Sequence, residues 1–413
     1  MTQDKALELL KGDRNIFLTG PPGSGKSYLT MQYVDYLLGN GRMPTLTAST
    51  GIAAVNIAGG TIHSFLGVRD DKELSDEDVN NILKNMWTLK RLRNAEILII
   101  DEISMVSGAL LDICSRLLQD ARDDDRPFGG VKIVAVGDFF QLPPIDGAYA
   151  FESEAWAAAD FIPCYLHEQH RQSGQLFVDV LTDVRAGELS DTTRAALRAR
   201  VFDDVSEVPC KLRLETHNNS VDDINRKRLE LTKGSAKVYE MEYEGNEKAL
   251  IRLKKSCMSP ERLLLKVGAP VMFTKNDKDL RWVNGTQGTV TKLDDGKVTV
   301  ILSDDTEVEV EAVTWERCEG YGSARKVLAS IKQIPLRLAW AITVHKSQGM
   351  TLDSAIIDVS RAFATGQGYV AISRVRTLDG LYFQGKLTKR VFAVDPKVQE
   401  ADKMFMSKSK EYE

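Results

Sequence analysis

The chain has 413 residues, 43% hydrophobic and 27% charged, with a net charge of −5. That balance excludes a low-complexity or disordered polymer, and the length leaves room for two to four domains with a sizeable core. It also excludes a surface that is basic throughout, so any nucleic-acid contact must be confined to a local channel.

The chain opens with MTQDKALELL, which has no basic stretch followed by a long apolar run, and no apolar segment of 18 residues occurs anywhere. Neither a signal peptide nor a membrane span is expected. Ile16–Thr19 reads as a short buried strand. It runs into Gly20-Pro-Pro-Gly23-Ser24-Gly25-Lys26-Ser27, which fits GxxxxGK[ST]. Leu29, Tyr33 and Leu37 then recur on one helix face. Strand, glycine-rich loop and helix in this order make a phosphate cradle, because the glycines let backbone amides close on phosphate oxygens at the positive end of the helix. Lys26 is placed to reach the β- and γ-phosphates, and Ser27 to ligate Mg²⁺. The expected cofactors are therefore ATP and Mg²⁺.

Residues 67–93 are polar and charged, with a helical stretch around Val79–Leu92, and read as an insert. Ile97–Ile100 and Val131–Val136 are further apolar strands. Three such runs separated by helical patterns indicate a parallel α/β sheet. The second run ends in Asp101–Glu102. A carboxylate at the end of a buried strand is costly unless it serves a cation. Asp101 is thus assigned to Mg²⁺ through a water, and Glu102 to the attacking water. The third run ends in Gly137-Asp138-Phe-Phe-Gln141-Leu-Pro143-Pro144, where Gln141 can sense the γ-phosphate or that water and the prolines stiffen the loop.

Five cysteines (Cys114, Cys164, Cys210, Cys257 and Cys318) form no CxxC pair and read as reduced thiols of a cytosolic-type compartment. Cys164, His167 and His170 have no fourth ligand nearby, so no structural zinc is expected. From about 276 to 329 the texture changes. GTVTKLDDGKVTVILSDDTEVEVEAVTW alternates apolar and polar residues, with turn signals at Asp295–Gly296 and Ser303–Asp305. This reads as a small antiparallel barrel inserted in a larger α/β domain. Ala341–Asp353, AITVHKSQGMTLD, packs polar residues between apolar runs for no reason of propensity. LYFQG at 381–385 resembles a protease recognition core but continues the preceding run and is read as native. The tail SKSKEYE is expected to fray.

The phosphate loop, LIIDE and VGDFFQLPPI in this order resemble the superfamily-1 helicases, and the last of them narrows the likeness to the Pif type and the related RecD-type enzymes. TASTGIAA (47–54), GGTIHSFLG (59–67), LHEQHRQ (166–172), THNNSVDDIN (216–225), LKVGAPVMFTKN (265–276), WVNGTQGTV (282–290), VHKSQGMTLD (344–353) and YVAISRVRTLDGL (369–381) extend it over nearly the whole chain. The resemblance implies two RecA-like P-loop NTPase domains with the phosphate site between them. The first spans 1–66 and 94–175, with a wedge-like insert at 67–93. The second spans 176–276 and 331–413, interrupted by an SH3-like β-barrel at 277–330.

By the same resemblance Gln3 reads adenine, Arg171 and Arg374 are arginine fingers, and Gln348 and Gly349 face the nucleotide. Arg185 and Arg376 are left as surface residues. Thr47, Ser49, Thr50 and Thr61 offer hydroxyls to a DNA strand, His63 and Phe65 stack or wedge, and Pro143 or Pro144 presses a base. Asn284, Thr343, His345 and Lys346 are the corresponding set of the second domain. For Phe65 and Trp282 the core is nearly as good a reading as DNA contact, whereas Trp87, Trp156, Trp315 and Trp340 are expected in the core. The implied activity is that of an ATP-dependent 5′-to-3′ DNA helicase, a monomeric motor on single-stranded, tailed or forked DNA, with single-strand-binding, replication or repair proteins as candidate partners. The alternatives are a RecD-like motor subunit and a translocase that strips proteins from DNA.

Overall fold

Three β-branched runs at 16–19, 97–101 and 132–136 form the middle of one parallel sheet. The computed structural model describes the chain apart from residues 70, 72, 73, 169–173, 207, 211, 216, 217, 280, 320–325 and 360–364. It divides into two compact units, Met1–Arg171 with Val394–Glu413, and Gln172–Ala393.

Among the described residues the first unit holds six strands: β1 (Ile16–Thr19), β2 (Thr45–Ala48), β3 (Gly60–Thr61), β4 (Ile97–Asp101), β5 (Lys132–Val136) and β6 (Ile162–Tyr165). Their order is β3-β2-β4-β5-β1-β6, every pair parallel. β1, β5 and the apolar part of β4 are buried throughout, as strands covered on both faces must be. The helix after the glycine-rich loop, Lys26–Gly39, buries Leu29, Tyr33 and Leu37 together with Thr30 and Val34.

The insert holds two helices rather than one. Ser75 caps Asp76–Leu83 in a capping box with Asp78, and Asn85 caps Met86–Arg93 by accepting the amides of Trp87 and Thr88. Thr88 and Leu92 take the inward face of the second helix. That leaves Met86 72% and Trp87 75% exposed, so Trp87 is not a core residue as expected. Trp156, Trp282, Trp315 and Trp340 are buried.

The C-terminal stretch corrects a second expectation. Residues 394–413 pack with the first unit, not with the second. The helix Pro396–Lys410 sets Phe405 4.9 Å from the Phe17 ring and 6.0 Å from Trp156. The Tyr165 hydroxyl donates to Asp402 at 3.1 Å, and the Tyr165 amide to Ser409 Oγ at 3.2 Å. The helix continues to Lys410, and the N-terminal ammonium donates to Glu413 Oε1 at 2.7 Å.

The second unit has a five-stranded parallel sheet in the order Ala341–Thr343, Arg213–Glu215, Ala355–Asp358, Leu381–Gln384, Val201–Phe202. LYFQ is thus an interior strand. A five-stranded antiparallel sheet runs Glu307–Glu311, Lys297–Leu302, Gln287–Asp294, Pro270–Phe273, Leu336–Leu338. Its core takes Tyr239, Leu263 and Leu265 from a two-stranded ladder beside Val271, Phe273, Trp282, Val298 and Val310. The antiparallel module therefore recruits strands on both sides of 277–330 in order to close its apolar interior.

Candidate nucleotide and DNA sites

The phosphate loop leaves the C-terminal end of β1, the edge of a parallel sheet where ligands collect. A β-carbon on Gly20 would lie 2.6 Å from the Leu166 carbonyl oxygen, so only glycine fits there. Gly25 takes the left-handed conformation (φ 86°) at the start of Lys26–Gly39. Lys26 Nζ donates to the loop carbonyls of Gly20 (2.7 Å) and Pro21 (3.0 Å), which hold the ammonium at the mouth of the cradle. Gln3 Nε2 donates to the Ser24 carbonyl at 3.2 Å, joining the N-terminal helix to the loop. Ser24 Oγ is sealed without a partner among the described residues, and Ser27 is exposed at the first turn of the helix.

Asp101 ends β4, one strand from β5 and two from β1. Its Oδ1 accepts the Glu102 amide at 2.9 Å. Glu102 adopts φ 53°, a left-handed conformation that a non-glycine residue takes only at some cost. Burial, with the Glu102 carboxylate beside it, pushes the Asp101 carboxyl above the ordinary range, while the Glu102 amide and the Lys26 charge pull the other way. A buried carboxylate next to a second one is an arrangement that a hard cation relieves, and Ser27 and Asp101 are oxygen donors that fit Mg²⁺. At the end of β5, Gln141 is buried, its amide bonded to the Asp138 carbonyl at 2.9 Å. Asp138 is fully buried and accepts the Phe140 amide at 3.3 Å. The sheet order thus gathers Lys26, Asp101, Glu102 and Gln141 on neighbouring strand ends.

Arg171 lies outside the described residues. In the second unit Arg374 is 2% exposed, its Nε donating to the Val370 carbonyl at 3.0 Å and Nη2 to Ser373 Oγ at 2.8 Å. Gly349 is exposed with φ 77°, and Gln348 beside it is buried.

The expected DNA-facing residues of the first unit cluster at the ends of β2 and β3, but several serve the fold. Thr47 is buried and its hydroxyl donates to the Ile99 carbonyl at 2.8 Å, which locks β2 to β4 and removes it from direct DNA contact. Phe65 is 4% exposed beneath Arg91 and belongs to the core. Thr50 Oγ1 accepts the Ala53 amide and Thr61 Oγ1 the Ser64 amide, each opening a short helix. Ser49 and Thr50 keep partial exposure, as do Thr61 and Pro143, and among the described residues Ser49 Oγ is sealed without a partner. His63 Nε2 pairs with Asp71 Oδ1 at 2.6 Å, and Asp71 Oδ2 accepts Ser107 Oγ at 2.6 Å. That chain ties the insert to the helix Gly108–Arg122 that Ser107 caps. Nothing in the spacing of Asp71 and Ser107 could have signalled it.

In the second unit Thr343 is buried and caps the following turn by accepting the Lys346 amide at 3.2 Å, so it positions the segment rather than touching a strand. His345 is exposed and Lys346 half-buried. The Asn284 amide donates to Asn276 Oδ1 at 2.7 Å, and its own Oδ1 is sealed. The turn bearing Asn284 lies against Met350 and the Thr351 backbone, and Gln287 Nε2 donates to the Ser354 carbonyl at 2.8 Å.

A family model described as PIF1-like helicase matches residues 4–195, and one described as DNA helicase Pif1, 2B domain, matches residues 249–293. The ATP-dependent DNA helicase Pif1 of Bdellovibrio bacteriovorus is 39% identical, over 98% of this chain and 91% of that one. The chain belongs to the PIF1-like helicase family. A structure of Bacteroides Pif1 with ADP-AlF4 is similar at a TM-score of 0.87 and 32% identity, covering 98% of this chain and 96% of that one. Bacteroides Pif1 bound to single-stranded DNA is similar at a TM-score of 0.65 and 32% identity, with the same coverage. The match to the 2B-domain model starts at residue 249, upstream of 277, which agrees with the wider antiparallel module described above.

Proposed function

We propose that this ATP-dependent DNA helicase moves 5′ to 3′ along single-stranded DNA and uses its helical insert to part the duplex ahead. The observation that carries the reading is the adjacency of β2 and β4. The segment after β2 presents Ser49 and Thr50, and β4 ends in the carboxylates Asp101 and Glu102. Hydroxyls and amides suit sequence-blind contact with phosphates, the contact a motor needs.

Lys26 would hold the β- and γ-phosphates of ATP, Ser27 and, through a water, Asp101 would hold Mg²⁺, and Glu102 would orient the attacking water. Bound there, Mg²⁺ would supply charge neutralisation on the transferring phosphoryl group. Gln141 reports the γ-phosphate to the loop Leu142–Pro144. Arg374 supplies the cation of an arginine finger. A change at the Asp101 end of β4 is felt directly at the backbone that grips DNA. In the second unit His345 and Lys346 contact the strand, and the antiparallel module braces them through Gln287 and Ser354. The exposed Met86–Trp87 pair forms the apolar tip of the wedge. The motor works as a monomer on tailed and forked substrates.

Phosphate release measured with and without a single-stranded oligonucleotide tests the reading. Stimulation by the oligonucleotide is expected, and hydrolysis indifferent to DNA would sink it.

A further inference from the structure

Arg337 lies in the strand Leu336–Leu338, opposite Met272. Its Nε is sealed from solvent with no partner, and among the described residues its side chain makes no hydrogen bond or ion pair. The residue as a whole keeps partial exposure. A guanidinium held in this way is costly unless an anion arrives to meet it.

A second cation stands nearby. Lys346 leaves the turn capped by Thr343, and its ammonium also has no partner among the described residues. Burial lowers its proton affinity, and the Arg337 charge lowers it further. Burial likewise disfavours the charged form of Arg337, and the Asp222 charge opposes this. Asp222 rides on the helix Asn218–Leu231, which Asn225 pins to the strand. Asn225 Oδ1 accepts the amides of Trp340 and Ala341, both at 3.1 Å, and its Nδ2 donates to the Ala341 carbonyl at 2.9 Å. Asp222 precedes Asn225 by nearly one helical turn and therefore shares its face. Among the described residues one exposed carboxylate thus answers two cations and bonds to neither, so that positive charge is in excess there.

The segment that carries Lys346 also carries the exposed His345, a candidate strand contact. A guanidinium offers a planar fork to two phosphate oxygens and a lysine a point charge beside it, the pair that suits a tetrahedral anion.

We propose that Arg337 and Lys346 form a phosphate subsite for the backbone of single-stranded DNA, with Asp222 as a built-in competitor that keeps the site weak. The proposal rests on the helicase reading above and adds Arg337 to it. The alternative source of the same chemistry is free phosphate.

The test is binding of the full chain to a labelled oligothymidine by anisotropy over a range of salt concentrations. Arg337→Gln is expected to flatten the plot of log affinity against log salt by about 0.7, the value for one phosphate lost on a single strand. Arg337→Lys keeps the slope. Asp222→Asn tightens binding severalfold at low salt, and the gain vanishes in the Arg337→Gln/Asp222→Asn double variant. Inorganic phosphate at constant ionic strength should compete no better than chloride. An unchanged slope in Arg337→Gln, no gain in Asp222→Asn, or selective displacement by inorganic phosphate that Arg337→Gln abolishes would each overturn the assignment. If Arg337→Gln fails to fold, Arg337→Lys and Asp222→Asn decide. A wild-type chain that binds no oligothymidine would instead sink the helicase reading itself.

Discussion

The backbone amide of Ser49 donates to the carbonyl of Asp101 at 3.3 Å, just beyond the point where Ala48 and Asp101 pair across β2 and β4. A candidate DNA-gripping loop and a candidate metal-holding carboxylate therefore end the same ladder. Separation of the two roles should still be visible in variants. Lys26→Ala is expected to cut ATP hydrolysis by about 10²- to 10³-fold, since it removes a charge aimed at the transferring phosphoryl group. Oligothymidine binding measured in parallel by anisotropy should remain, because Lys26 sits in the phosphate loop, where it donates to the Gly20 and Pro21 carbonyls. Equal loss of both would mean that Lys26 holds the fold.

The insert carries Trp87 and Met86 on its open face. Trp87→Ala should reduce unwinding of a forked duplex roughly tenfold, in line with the worth of one aromatic–base stack. Stepping along single-stranded DNA, followed by displacement of streptavidin from a biotinylated strand, should be spared. A variant equally impaired in both assays would remove the insert from strand separation.

A β-carbon placed on Gly285 would lie 2.7 Å from the Thr351 carbonyl oxygen, and φ there is +98°. Gly285→Ala should therefore cost about 1–3 kcal/mol of stability in urea unfolding. It should also weaken stimulation of hydrolysis by DNA, because the turn it distorts packs on Met350 and Thr351, a few residues after His345 and Lys346. Unchanged unfolding would show that the contact can give way.

Lys132 is 8% exposed, where its ammonium donates to the Leu10 and Gly12 carbonyls and to the Tyr33 hydroxyl. Burial lowers its pKa from 10.5 to about 8. The folded chain gives up this proton near pH 8 and the unfolded chain only near 10.5. Between those values folding releases a proton, and stability gains as pH rises. The shift corresponds to roughly 3 kcal/mol. Relative to Lys132→Met, the wild-type chain should gain up to that amount between pH 8 and 10.5, read as the difference in melting free energy. A pH-independent difference would contradict the assignment.

The parallel sheet of the first unit was legible because its strands are apolar, β-branched and bounded by turn residues. The phosphate loop was legible because glycine spacing is a local demand. Trp87 was misplaced because an aromatic residue in a short helix buries or not according to which face the Asn85 cap turns inward. Thr47 and Thr343 resembled DNA contacts because a hydroxyl at a strand end serves equally well as a lock or a cap, and only tertiary partners decide. The helix 396–410 was given to the wrong unit because adjacency in sequence says nothing of the partner that Phe405 finds beside Phe17. Arg337 stood in plain view as a cation inside IPLRLAW, but alternation predicts that such a residue points to solvent, and the sealing of its Nε is a property of the packed sheet.

Unwinding of 5′-tailed against 3′-tailed duplexes, with and without ATP, tests the central claim most directly. Strand separation that requires ATP and a 5′ single-stranded tail is the expected result. Unwinding confined to 3′-tailed duplexes, or no unwinding of either substrate in the presence of ATP, would contradict it.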